Sequence, residues 1–355
     1  MKEPAPAPAP PRLPAPVPSA TQPRMRYARE RAVAIGAVEQ ASRLCLAVQA
    51  TLISDESMAK RDQSPVTVAD FGAQAVVGRA LREAFPGEAL VAEEDAHELR
   101  AGENSVLAER VAEAVREIVP GITRKDVLDW IDSGAHAGGA RGRHWTLDPI
   151  DGTKGFLRGD QYAVALALIE DGEVVLGVLG CPHLPLDAAK PDGERGCLFV
   201  AEQGAGTVMR ALRGGAETRV RVSDVRDPAQ ARFCESVEAA HSSQDDSARV
   251  AARLGITRPP FRIDSQCKYA AVARGDASIY LRLPTKKDYQ EKIWDHAAGS
   301  AVIREAGGRV SDVNGRPLDF SLGRTLRANV GVVVTNGHVH ERVVEAVREV
   351  LGRSQ

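Results

Sequence analysis

Two different spacings of hydrophobic and polar residues divide the chain into helices and strands. Apolar residues recur at helical intervals in eight segments, at about 27–52, 70–85, 104–118, 124–132, 245–254, 266–274, 295–306 and 338–351. Strand-like runs lie near 89–95, 144–156, 161–182, 196–201, 206–212, 231–235, 261–264, 278–283 and 330–335. The pair in 161–182 surrounds Asp171-Gly172, which predicts a hairpin. This alternation indicates the α/β fold class, as an α+β layered sandwich.

The chain is expected to have three parts. Residues 1–24 alternate proline and alanine, which predicts a disordered, extended tail, with a transit peptide as the alternative. We expect an N-terminal α+β domain over 25–222 and a C-terminal α/β domain over 223–355. The polar stretch from Ile53 to Asp70 contains one proline and is interpreted as a mobile loop or β-flap.

Composition argues against several classes of partner. The net charge of the 355 residues is −2, so no global basic field attracts nucleic acid or a membrane surface. Apolar runs are too short to span a membrane. The five cysteines form no CxxC pair and are odd in number, which favours reduced thiols in a cytoplasmic protein. A basic binding site, if present, must therefore be local, and the oligomeric state stays open, with a monomer as one option.

Acidic residues end several of the apolar runs. They are Asp70, Glu93-Glu94-Asp95, Asp148, Asp151 and Asp295. In the segment DPID, a proline and a following glycine favour a rigid turn that could aim two carboxylates at one point. Such carboxylates repel each other, and a hard divalent cation such as Mg²⁺ would remove that repulsion. Spacing alone leaves solvated turns and helix caps as alternatives.

A phosphate site is predicted directly after these acids. Gly152 and Thr153 could offer backbone N–H groups at the start of a short helix, and Thr153 adds a hydroxyl that could orient a water. The combination of cation ligands and a phosphate site favours phosphate chemistry.

Two long motifs resemble those of the lithium-sensitive inositol monophosphatase superfamily. They are WTLDPIDGTKGFLRG (145–159) and WDHAAG (294–299), with SPVTVAD (64–70) and VAEED (91–95) in the other expected places. The resemblance covers about residues 27–350 and implies the layered fold of the inositol monophosphatases and fructose bisphosphatases. By resemblance, the metal ligands are Glu93, Asp148, Asp151, Asp295 and the backbone oxygen of Ile150. The water-activating pair implied by the family is Asp70 and Thr153.

Further segments resemble the 3′(2′),5′-bisphosphate nucleotidase branch of this superfamily. They are TKGFLRG after the acids, HSSQDD (241–246), DSQCKYAAVARGDASIYLRLP (264–284) and YQEKIWDHAAG (289–299). The nucleotide-binding residues of that branch fall on His241, Ser265, Lys268 and Arg282. By resemblance, 25–222 is then the metal-binding domain and 223–355 the nucleotide-binding domain. Each basic residue alone could be an ordinary solvated charge, but a bisphosphate requires positive groups for the phosphate that is not cleaved.

The resemblance implies a complete reaction. Two or three Mg²⁺ ions would support hydrolysis of the 3′-phosphate of adenosine 3′,5′-bisphosphate to AMP and phosphate, and Li⁺ would inhibit. The sulfated analogue, 3′-phosphoadenylyl sulfate, is a further expected substrate. Two alternatives stay open: an inositol monophosphatase or related sugar phosphatase, and a protein that senses nucleotide or metal without turnover.

Overall fold

The computed structural model describes residues 26–54, 64–237, 244–286 and 288–352. The predicted tail, part of the predicted 53–70 loop and His241 therefore lie outside the described residues. Two helices begin the described chain, α1 (Ala28–Ser54) and α2 (Ser64–Ala84), and they pack against each other.

The loop or flap predicted before Asp70 is wrong over residues 64–70, which form the first turns of α2. The proline that suggested a loop is the second residue of this helix. A missing N–H has no cost there, because the first helical N–H groups have no intrahelical acceptor. Val66 and Ala69 are buried in the core, so this segment already follows the helical apolar pattern.

The first sheet has seven strands in chain order, and only its first pair is parallel. The strands are β1 (Ala89–Ala92), β2 (Arg143–Asp151), β3 (Ala163–Glu170), β4 (Glu173–Pro185), β5 (Arg195–Glu202), β6 (Gly206–Ala211) and β7 (Thr218–Arg219). The helices α3 (His97–Arg100), α4 (Ser105–Ile118) and α5 (Arg124–Asp132) connect β1 to β2, and α6 (Thr153–Arg158) follows β2. The predicted hairpin is confirmed: Asp171 and Gly172 join β3 to β4 with φ of 49° and 82°.

The second sheet has the order β11-β12-β10-β8-β9. Its strands are β8 (Phe233–Glu235), β9 (Phe261–Arg262), β10 (Ile279–Arg282), β11 (Arg309–Ser311) and β12 (Val332–Thr335). The helices of this half are α7 (Gln244–Arg253), α8 (Cys267–Ala273), α9 (Ala297–Glu305) and α10 (His340–Val350). The sequence pattern missed the short elements α3, β7 and β11.

Helices and sheets alternate in five layers, which confirms the predicted layered α/β class. α1 and α2 cover one face of the first sheet, α8 and α9 lie between the sheets, and α7 and α10 cover the outer face of the second. Along β3 the alanines face the α8–α9 layer, while larger residues such as Leu166 face α1 and α2. At Gly177, a Cβ would lie 2.7 Å from the Ala298 oxygen, so β4 can approach α9 closely.

The proposed domain boundary near Val222 stays a prediction. It falls between the last strand of the first sheet and the first strand of the second, but α8 and α9 contact both sheets. The five cysteines are free and buried, in keeping with a packing role. Within the described ranges, no helix has the length and apolarity that a membrane crossing requires.

Candidate active site

The carboxylates of β2 reach one place through an irregularity in the sheet. Asp148 pairs with Ala165 of β3, but Asp151 pairs with Ala163, so three steps along β2 match two along β3. This bulge surrounds the Pro149-Ile150 step and re-aims the strand end. Both aspartates consequently line one cavity of about 340 Å³.

Two further elements bring acids to the same cavity. Glu93 follows β1, whose last residue Ala92 pairs with Leu147 of the parallel strand β2. Asp295 lies just before α9, the helix that packs against β4. Together these residues form what we call the acidic wall of the cavity: Glu93, Asp148, Asp151 and Asp295. Ile150 lines the same cavity.

The acidic wall carries a large electrostatic cost. Burial raises the pKa of Asp148 well above its usual range, and Glu93, Asp151 and Asp295 raise it further. Burial and the neighbouring carboxylates also raise the pKa of Glu93 to about 7. Burial raises the pKa of Asp295 to about 7 as well, even though Arg282 opposes the shift. Oδ1 of Asp148 is buried without a hydrogen-bond partner.

These features fit a bound divalent cation. An all-oxygen set of clustered carboxylates matches what Mg²⁺ prefers, and an orphaned carboxylate oxygen normally has a partner such as an ion or a water. A cation bound at this wall would offset the repulsion between the carboxylates, which contributes to their raised pKa values.

Asp70 lies close enough to this wall to interact electrostatically with Glu93 and Asp148. Asp70 is buried in α2, and burial followed by Glu94 and Glu93 raises its pKa well above the usual range. Thr153 is exposed and lines the cavity, whereas Asp70 does not. Among the described residues, no hydrogen bond joins the two. Their predicted partnership in activating water therefore stays a prediction.

Gly152 occupies a position that requires glycine. Its φ is 95°, and a Cβ there would lie 2.8 Å from Cβ of Ser265. Ser265 itself has φ of 65°, an uncommon conformation for a residue other than glycine. The turn after β2 and the turn before α8 are therefore in close contact through Gly152 and Ser265, which both line the cavity.

Two basic side chains, Lys268 and Arg282, line the same cavity and form what we call its basic wall. Lys268 is only 5 % exposed, and its Nζ lies 5.2 Å from the ring centroid of Tyr280. In the portion of the chain that the structure describes, this ammonium has no hydrogen bond and no salt bridge. Burial lowers its pKa, while nearby Asp151 opposes the shift. It is thus a buried cation that faces an open cavity.

Arg282 is held more firmly. Its Nε lies 2.7 Å from Oε2 of Glu291, and one Nη lies 3.5 Å from Oδ2 of Asp295. Burial would lower the pKa of Arg282, but Glu291 and other neighbours outweigh it and raise the pKa above its usual range. The hydroxyl of Tyr289, a half-exposed residue that lines the cavity, lies 3.5 Å from the guanidinium.

Sequence reasoning missed several residues at the site, among them three that hydrogen-bond or pair with predicted site residues. They are Gln266, Tyr289 and Glu291. The backbone N–H of Gln266 donates to Asp151 at 2.5 Å. Its side chain donates to the Trp294 oxygen at 2.9 Å and accepts from the Gly299 N–H at 3.1 Å. It thereby ties the two ligand motifs together, which only the tertiary structure reveals.

Comparison with known proteins assigns the family. The pattern of the Inositol monophosphatase family matches residues 27–351. The chain belongs to the inositol monophosphatase family. Its similarity to the bisphosphate nucleotidase branch of this family is confirmed by curated relatives. A 3′(2′),5′-bisphosphate nucleotidase from Emericella nidulans is 48 % identical, with 92 % of this chain and 99 % of the relative covered. One from Schizosaccharomyces pombe is 46 % identical, with 93 % and 98 % covered.

Solved structures confirm the fold expected for an inositol monophosphatase family member. SuhB from Mycobacterium tuberculosis superposes with a TM-score of 0.59 at 21 % identity, covering 92 % of this chain and 98 % of that one. An inositol monophosphatase from Anabaena gives 0.57 at 20 % identity, covering 92 % and 97 %. At such identities the likeness concerns the fold alone.

Proposed function

We propose that this protein is a magnesium-dependent phosphatase that removes the 3′-phosphate from adenosine 3′,5′-bisphosphate and releases AMP and phosphate. One observation supports this most directly: the acidic wall lines the same cavity as Lys268, a buried ammonium that has no hydrogen bond or salt bridge within the described residues. The acidic wall suits cations and the phosphate to be cleaved, and Lys268 suits a second phosphate. The names of the curated relatives agree with this activity.

Two or three Mg²⁺ ions would be held by the four carboxylates of the acidic wall and by the backbone oxygen of Ile150. When bound, they would lower the pKa of a water and offset negative charge on the phosphate and the leaving oxygen. Thr153, exposed to the cavity, would orient the attacking water through its hydroxyl. Asp70 would accept the proton through Thr153, an action that requires the two side chains to approach each other. The N–H groups of Gly152 and Thr153 would hold the phosphoryl oxygens.

Residues of the C-terminal half would recognise the nucleotide. Lys268 and the outer edge of Arg282 would bind the 5′-phosphate by charge-assisted hydrogen bonds. Ser265 offers a hydroxyl beside Gly152, and His241, outside the described residues, belongs to the same proposed set. Tyr289 is 50 % exposed at this end of the cavity and could offer its ring to the base.

A panel of substrates tests the proposal. Phosphate release would be measured with adenosine 3′,5′-bisphosphate, 3′-phosphoadenylyl sulfate and inositol 1-phosphate, in Mg²⁺ with and without Li⁺. We expect the two nucleotides to be hydrolysed faster than the inositol ester, and we expect Li⁺ to inhibit. Faster release from inositol 1-phosphate would instead assign a sugar phosphatase. Tight nucleotide binding without phosphate release would indicate a sensor.

A further inference from the structure

A buried chain of hydrogen bonds extends from Arg282 into the protein. Oε2 of Glu291 lies 2.7 Å from Nε of Arg282 and 3.0 Å from Nε2 of His296, and it accepts a hydrogen bond from each. Nδ1 of His296 lies 2.7 Å from the hydroxyl of Tyr269. Because an ionised carboxylate only accepts, Nε2 of His296 carries the proton, and Nδ1 can accept from the tyrosine. Donation thus converges on Glu291, from Arg282 on one side and from Tyr269 through His296 on the other.

The inner end of this chain is rigid. His296 is fully buried, Glu291 and Tyr269 are nearly so, and a Cβ on Gly299 would lie 2.4 Å from the Tyr269 ring. The backbone of Glu291 is also fixed, since its oxygen accepts from the Leu326 N–H at 2.8 Å. The carboxylate that holds Arg282 therefore has little freedom to follow it.

Arg282 stands between two carboxylates that would compete for it. It makes the close contact with Glu291, while the distance to Oδ2 of Asp295 is 3.5 Å, too long for a strong charge-assisted bond. Asp295 belongs to the acidic wall. If the guanidinium moved onto Asp295, it would neutralise a proposed metal ligand and lose the edge that is proposed to bind phosphate.

We propose that Glu291 is a positioning residue that holds Arg282 off Asp295, so that Asp295 stays available to a cation and Arg282 to the uncleaved phosphate of the nucleotide. This inference rests on the proposed function. His296 and Tyr269 support Glu291 from behind, and none of the three needs to touch the substrate.

The test is Glu291→Gln, which keeps the shape of the side chain but removes the charge that holds Arg282. We expect the KM for adenosine 3′,5′-bisphosphate and the Mg²⁺ concentration for half-maximal activity both to rise roughly tenfold, as expected for losing a hydrogen bond between charged groups. Asp276→Asn is the matched control. Asp276 forms a salt bridge of 2.6 Å with the well-buried Arg274, and this pair does not line the cavity. The control should leave both constants within about twofold of wild type.

A double variant separates positioning from general structural damage. If Glu291 acts through Arg282, Glu291→Gln should add less than about twofold to the defect of Arg282→Gln. Independent, multiplying defects would overturn the inference, as would unchanged KM and Mg²⁺ requirement in the single variant. Should Glu291→Gln not fold, Tyr269→Phe tests the same chain: a raised KM supports the inference and an unchanged one overturns it. A wild-type protein that does not hydrolyse the bisphosphate would contradict the proposed function instead.

Discussion

The acidic and basic walls of the cavity differ in how their charges are balanced. The acidic wall gathers like charges at the ends of β1 and β2 and before α9, and burial with mutual repulsion raises the pKa of Glu93 and Asp295 to about 7. On the basic wall, Arg282 is paired with Glu291 and approaches Asp295, whereas Lys268 has no ion pair within the described residues and lies over the ring of Tyr280.

This difference matches the two halves of a bisphosphate. Mutually repelling carboxylates are stabilised when cations bind between them. The acidic wall therefore suits the phosphate that reacts. A buried lysine is stabilised by pairing with a single anion. Lys268 therefore suits the phosphate that is not cleaved.

Removing one carboxylate of the acidic wall should have the largest effect. In Asp151→Asn, the ligand at the end of β2 is lost while the shape of the side chain is kept. We expect kcat to fall by at least about 10²-fold, because electrostatic stabilisation of this kind is worth that much. Phosphate release at saturating Mg²⁺ measures the effect, and circular dichroism checks the fold. Near-normal turnover in a folded variant would show that Asp151 is not a ligand.

Removing the free cation of the basic wall should have a smaller and more selective effect. Lys268→Ala should raise the KM for the bisphosphate about tenfold, the loss expected for one charge-assisted hydrogen bond, with less change in kcat. The KM for adenosine 3′-monophosphate, which lacks the second phosphate, should stay the same. Lys125→Ala, on a side chain that is 79 % exposed, is the control. An unchanged KM for the bisphosphate in Lys268→Ala would remove this lysine from the phosphate site.

Much of the acidic wall could be predicted from sequence because its positions are locally encoded. Asp148 and Asp151 end a strand at a proline and a glycine, and Asp295 lies two residues before the first residue of α9. The start of α2 was missed, because a proline among polar residues suggests a loop as readily as a first helical turn. The positioning residues Glu291 and Gln266 were also missed. Their roles depend on partners that are distant in the fold, and spacing along the chain does not encode those contacts.

Because its carboxylates are buried and repel one another, the acidic wall should reduce the stability of the protein when no divalent cation is bound. The folded pKa of Asp148 is raised above its unfolded value. Stability is therefore lost as the pH rises from the unfolded pKa through the folded one. At pH 7 in EDTA, Asp148→Asn should raise the melting temperature by about 2 °C or more. The gain should disappear in acid, where the carboxyl is neutral in both states.

A second buried aspartate provides the control for this prediction. Oδ1 of Asp312 accepts from the N–H groups of Asn314 at 2.8 Å and Arg316 at 2.9 Å, so its charge is well solvated by the backbone. Asp312→Asn should therefore lower the melting temperature under the same conditions, because it weakens charge-assisted hydrogen bonds. If the melting temperature rises in Asp148→Asn and falls in Asp312→Asn, the destabilisation comes from the clustering of the acids rather than from burial alone. A lower melting temperature in both would mean that Asp148 stabilises the fold and that the acidic wall carries no such cost.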